Sequence, residues 1–242
     1  GERRILGRRA GKSEVQSVVS RAKNAGINNI SLDVMLGVPG QTKESLKSTL
    51  DFCISSGVPH LSCYILKIEE NTPFFRMRDK LPFPSDDDTA DMYLFMCEYL
   101  EEHGIMQYEI SNFAVPGFES RHNLKYWHDE EYLGIGASAH SFLGGKRTYY
   151  PRDIEYFISG NERLTEGDGG DEEEFCMLAL RLREGLTQER FYARFHHEIP
   201  QKMLESAKQY EKYGLCRCES GGISLTRRGF LLSNSVISEI IL

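Results

Sequence analysis

Ser31-Leu32-Asp33-Val34-Met35-Leu36, followed at once by Gly37-Val38-Pro39-Gly40-Gln41-Thr42, decides the fold class. Leu32, Val34 and Leu36 alternate with Ser31, Asp33 and Met35. That period of two predicts a strand, over 29–36, with one apolar and one mixed face. Val38-Pro39-Gly40 is a turn. Thr42 is placed to cap a helix carrying Leu46, Leu50 and Ile54, which Gly57-Val58-Pro59 ends. Strand, tight turn and helix make a βα unit, and the same pattern continues outward on both sides.

Upstream, Ser13 and Gln16 have capping-box spacing. Val15, Val18, Val19 and Ala22 follow at helical intervals, with Gly26 as a stop. Downstream, His60–Ile68 predicts a second strand, and a Pro- and charge-rich loop runs to Pro84. Ser85 with Asp88 caps a helix bearing Met92, Phe95, Met96, Tyr99 and Leu100, and Gln107–Ser111 predicts a third strand. Strands separated by helices imply parallel βαβ units. Three such units are too few to close an eight-stranded barrel, and an open parallel edge is normally covered or continued. The first helix also has no strand before it. Two readings remain: the C-terminal part of a larger barrel, which accounts for both observations, and a small complete three-layer domain.

From about Pro116 to Tyr150 the chain reads as loop-rich. Gly167-Asp168-Gly169-Gly170 reads as a linker between a first domain, 1–166, and a second, 171–242. The second domain is mainly helical, over Glu172–Arg183, Thr187–Phe195 and Gln201–Tyr213. A hairpin near Leu215–Leu225 and an apolar helix from Arg228 complete a winged-helix-like module. Such a fold does not by itself fix function, and a net charge of −7 argues against a nucleic-acid partner. No run of about 18 apolar residues predicts a membrane span. Gly1-Glu2-Arg3-Arg4 lacks the apolar core of a signal peptide. A cytoplasmic protein with reduced thiols is expected, and peripheral membrane contact through a local patch stays open.

The six cysteines are scattered, and Cys216-x-Cys218 is the one close pair, without further ligands at metal-site spacing. Asp33, near the C-terminal half of its strand, reads equally as a ligand contact and as a structural carboxylate. Arg8 is either a solvated surface residue or a bidentate partner for a ligand carboxylate. His122-Asn123-Leu124-Lys125-Tyr126-Trp127 holds the only Trp. A His beside such rings can ligate a porphyrin iron, although most bond a backbone group. Gly134-Ile135-Gly136-Ala137-Ser138-Ala139 matches a loose dinucleotide fingerprint, but no amphipathic helix follows it. A tight backbone passage is the alternative.

Taken in order, Leu6-Gly7-Arg8, 31–42, 107–113, 122–127 and 134–141 resemble the HemN/HemW branch of the radical S-adenosylmethionine superfamily. With the C-terminal module the likeness covers essentially the whole chain. The resemblance implies an α/β fold, a partial (β/α)6 TIM-like barrel followed by a helical domain. It implies that Arg8 and Asp33 contact S-adenosylmethionine. Lys67 and His140 fall at further contact positions but differ in type from the coproporphyrinogen dehydrogenase side, which points to backbone or van der Waals contact there. The His-Asn-x-x-Tyr-Trp stretch resembles the heme-chaperone side. It implies heme as ligand, His122 on the iron, Tyr126 and Trp127 against the porphyrin, and a recipient hemoprotein as partner. The alternatives are an oxygen-independent coproporphyrinogen III oxidase of porphyrin biosynthesis and a non-catalytic interaction fragment. The family's Cys-x3-Cys-x2-Cys motif for a [4Fe-4S] cluster lies upstream of every matching stretch, and no three cysteines here have that spacing. The chain as given is therefore not expected to bind the cluster or cleave S-adenosylmethionine.

Overall fold

The alternation at 31–36 becomes an edge strand, β1, whose Leu32, Val34 and Leu36 share one face. The computed structural model describes residues 2–242, which divide into two compact units between Glu119 and Ser120. In the first, α1 (Glu2–Ile5) and α2 (Lys12–Asn24) precede β1 (Ser31–Leu36), α3 (Lys43–Ser55) and β2 (His60–Ile65). A short α4 (Pro73–Met77) leads to α5 (Asp86–Glu102), β3 (Met106–Gln107) and β4 (Asn112–Ala114). The sheet order is β1-β2-β4-β3. β1 and β2 are parallel, in register from Ser31 opposite His60 to Leu36 opposite Ile65.

Val34, Leu36, Leu61, Cys63 and Phe113 are buried on the face covered by helices. Leu46, Leu50 and Cys53 of α3, with Met92, Met96 and Leu100 of α5, fill the other side of that core. Each fully buried aliphatic side chain contributes roughly 1.5–3 kcal/mol, so this packing fixes which face β1 turns outward. Thr42 caps α3 by accepting the Ser45 N–H at 3.2 Å, as its spacing predicts.

Three local readings change. The segment 107–111 is not a third parallel strand. Residues 108–111 form a turn, and β4 runs antiparallel to β2 with Asn112 opposite Ser62. The link from β3 to β4 is too short for the crossover that parallel pairing needs, so these two pair antiparallel, Met106 opposite Ala114. β2 stops at Ile65, leaving Lys67 beyond the strand in an ion pair with Glu69 at 2.9 Å. α2 starts at Lys12, where the Glu14 carboxylate accepts the Gly11 N–H at 2.9 Å. Ser13 donates to that carboxylate, and Gln16 accepts from Ser56 instead of closing a capping box.

The second unit begins with α6 (Arg121–Trp127) and an antiparallel sheet of β5 (His140–Leu143), β6 (Lys146–Tyr149) and β7 (Leu164–Asp168), with α7 (Ile154–Ile158) before β7. This sheet replaces the loop expected there. Its strands are short, and apart from Ser141 and Phe142 their residues are half-buried or exposed, so no clear apolar alternation announces them. The Gly144-Gly145 turn does: both residues have positive φ, 58° and 70°, the geometry of a two-residue hairpin loop. α8 (Glu172–Ala179), α9 (Gln188–Phe195), α10 (Gln201–Glu211), the β8–β9 hairpin (Cys216–Glu219, Gly222–Leu225), α11 (Arg227–Leu231) and α12 (Ser233–Ile241) complete the chain. The 166–171 boundary lies inside this unit. Asp171 caps α8 by accepting the Glu174 N–H at 2.8 Å, so the acidic stretch from Asp171 to Glu174 opens a helix. His196 lies outside α9 as a left-handed cap at φ 63°, and His197 sits 2.9 Å from Glu172. Among the described residues no helix is long and apolar enough to cross a membrane.

Candidate functional site

β1 and β2 place Ser31, Asp33, His60 and Ser62 on the face opposite the helices, because residues in register share a face and alternate along the strand. Ser31 Oγ and His60 Nδ1 lie 2.7 Å apart, and His60 Nε2 lies 2.8 Å from the Tyr108 hydroxyl. Burial holds the His60 imidazole below its ordinary pKa, against the opposing pull of the Asp33 and Glu119 carboxylates. Asp33 itself is exposed on this face. Asn112, opposite Ser62, extends it. The Glu109 carboxylate, fully buried, accepts the Ser111 N–H at 3.1 Å through one oxygen, while the other has no partner. Burial raises its pKa, opposed by bonds from Asn112 and neighbouring backbone.

The loop after β1 is tied by one side chain. Gln41 accepts the Gly37 N–H at 2.8 Å and donates to the Met35 carbonyl at 2.9 Å. Gly37 has φ 75°, a left-handed turn that glycine permits. The Gly-x-Pro-Gly-Gln run thus shapes the mouth of the strand, where barrel-type sites are built. Arg8 is exposed in the segment between α1 and α2.

In the second unit, His122 and Tyr126 stand one turn apart on α6. Their rings meet edge to face at 5.0 Å, and His122 Nε2 lies 3.1 Å from the Tyr126 hydroxyl. Tyr126 packs on Tyr132 at 4.5 Å, and Arg181 lies over Trp127 at 5.9 Å. His140, at the start of β5, has Nδ1 3.1 Å from Glu166 and its ring stacked on Tyr149 at 5.5 Å. A Cβ on Gly134 would collide with the His140 carbonyl oxygen. The Gly-x-Gly run is therefore a close passage of backbone against β5, and no helix follows it to hold a dinucleotide.

Sequence pattern alone assigns no role to the individual residues of 107–113, nor to His60, Ser62 and Glu166. His60-x-Ser62 repeats the polar alternation of Ser31-x-Asp33, a signal that was present. Glu166 sits on a strand that pattern reading did not find. Five cysteines are buried and Cys218 is half-buried. Burial raises the thiol of Cys53 to about 11 and those of Cys176 and Cys216 to about 12. Such groups stay protonated at neutral pH and make poor thiolate ligands. Among the described residues no three His, Cys, Asp or Glu side chains group as a metal site.

The architecture aligns with coproporphyrinogen III oxidase (HemN) from Escherichia coli, described as a radical SAM enzyme. The TM-score is 0.76 at 18% identity, over 98% of this chain and 60% of that one. The fold is therefore the HemN-type radical SAM fold, a partial TIM-like barrel followed by a helical domain. Residues 172–232 match the HemN C-terminal domain. Over 248 residues the chain is 34% identical to the heme chaperone HemW of Bacillus subtilis, and over 246 residues 34% identical to that of Lactococcus lactis. Each match takes 98% of this chain and 65% of the relative. The HemW of Escherichia coli K12 is 35% identical over 196 residues, 78% of this chain and 51% of that protein. The chain is thus similar along nearly its whole length to the HemW group of the HemN family of radical SAM proteins, and it spans 65% of the length of the first two relatives.

Proposed function

We propose that this chain binds heme through its second unit, as part of a heme chaperone that delivers heme to a recipient hemoprotein. The row His122, Tyr126, Tyr132 carries the reading: an exposed imidazole at the end of a line of packed rings, with Trp127 on the same helix. An imidazole nitrogen satisfies one axial position of a porphyrin iron, and flat rings cover the macrocycle. Tyr126 keeps the His122 ring in place, and His122 ligates the iron through the nitrogen that Tyr126 does not engage. The relatives' names support heme as the ligand, because the match runs through this helix. For S-adenosylmethionine the proposed contacts in the first unit are Arg8, Asp33 and Lys67. Asp33 stands exposed beside the hydrogen-bonded Ser31–His60 pair, where a ribose hydroxyl would find an acceptor.

Titration with hemin, followed by absorbance, tests the proposal. A Soret shift saturating at one equivalent is expected, with at least tenfold weaker binding in His122→Ala. A flat titration of the unaltered chain sinks the reading, and an unchanged His122→Ala removes that residue as ligand.

A further inference from the structure

His140 faces a groove of about 470 Å3, lined also by Tyr149, Tyr150, Arg152 and Glu166. The sheet itself builds this arrangement. β5 sets His140 opposite Tyr149, and the next strand across carries Glu166. The ring is stacked on Tyr149 at an interplanar angle of 20°, and Nδ1 is held 3.1 Å from Glu166. A carboxylate at Nδ1 keeps the imidazole proton there. The lone pair of Nε2 is then left free to ligate, the arrangement that carboxylates give to metal-binding histidines. His122 lacks this support, since its Nε2 already meets the Tyr126 hydroxyl.

Because no three ligating side chains group anywhere among the described residues, a bare cation would be poorly held in this groove. An iron already bound by four porphyrin nitrogens needs only one or two protein ligands. Arg152, on the rim, has the planar fork that pairs with a carboxylate such as a porphyrin propionate.

We infer that His140 Nε2 supplies an axial ligand to heme iron, with Glu166 as a positioning residue and Arg152 meeting a propionate. The inference rests on the heme reading above and adds an iron ligand to it.

Hemin titrations of His140→Gly, Glu166→Gln and His122→Ala separate the outcomes. In His140→Gly the Soret band moves and binding weakens at least tenfold, and millimolar imidazole restores the band. Glu166→Gln weakens binding about tenfold without changing the ligand set. In the unaltered chain, hemin shields His140 from diethyl pyrocarbonate, read by peptide mass spectrometry; this readout holds even where a variant folds poorly. An unaltered band in His140→Gly, or equal modification of His140 with and without hemin, overturns the inference while the heme reading stands. A flat titration of the unaltered chain ends both.

Discussion

The two units expose their polar residues in opposite ways. In the first, a buried imidazole joins Ser31 to Tyr108, a buried carboxylate sits under the 108–111 turn, and one glutamine ties the loop after β1. In the second, His122 and His140 are exposed and each is steadied by a neighbour on one ring nitrogen. A face organised by internal hydrogen bonds suits shape and solvent exclusion. An exposed imidazole with one nitrogen engaged suits ligation. The difference teaches that motif residues in the first unit chiefly hold the strand mouth, whereas those in the second have chemistry left to offer.

The largest expected effect is at Gly134. An added Cβ would collide with the His140 carbonyl, so Gly134→Ala should destabilise the second unit by about 3 kcal/mol through backbone displacement. Hemin binding should fall with it. Trp127 is the only tryptophan and lies in this unit, so its fluorescence follows that melt. An unchanged melting temperature would break the contrast between a packed backbone support and a hydrogen-bonded one.

Next comes His60→Ala, which removes the bridge between Ser31 and Tyr108 and should cost the first unit about 2 kcal/mol. Hydrogen exchange over 31–36 reads the loss, and hemin affinity should stay as it was. Weakened hemin binding would mean that the two units do not divide the work as described. Thr42→Ala removes the cap of α3 and is expected to cost about 1 kcal/mol, seen as faster exchange in its first turn.

A last pair of effects separates the units by pH. Burial lowers the pKa of His60 below its ordinary 6.5, so the unfolded chain binds the extra proton first. That contribution is complete above pH 6.5 and shrinks as the pH falls below it. Asp129 behaves in the opposite sense. Burial, reinforced by Glu174, raises its carboxyl from 3.8 to about 6 despite Arg194 and Arg147. The folded state therefore takes up the proton first, and this contribution is greatest below pH 3.8 and lost as the pH rises through about 6. Melts of His60→Gln and Asp129→Asn, each subtracted from the unaltered chain, should slope in opposite directions across these windows. Slopes of the same sign would contradict the assignment.

Much of this was legible in the residues. Leu32, Val34 and Leu36 announced β1 and its buried face, and Thr42 and Ser85 announced their helices. These features are local, so pattern and capping chemistry suffice. The antiparallel return of β4 depends on the short 108–111 link and on pairing with β2, which no local pattern states. The β5–β6–β7 sheet escaped because its strands carry Lys146, Arg147, Glu166 and Asp168 in place of an apolar alternation. The candidate histidines were visible as residue types. Their chemistry was not, because it rests on partners brought in by the sheet, Glu166 and Tyr149 above all.

Hydrogen exchange of the unaltered chain, measured by mass spectrometry with and without one equivalent of hemin, sets the two units directly against each other. Protection over 121–127 and 140–149, with 31–36 and 60–65 unchanged, is the result expected if the second unit takes the heme. Protection confined to the two parallel strands, with α6 and β5 unaffected, would contradict it.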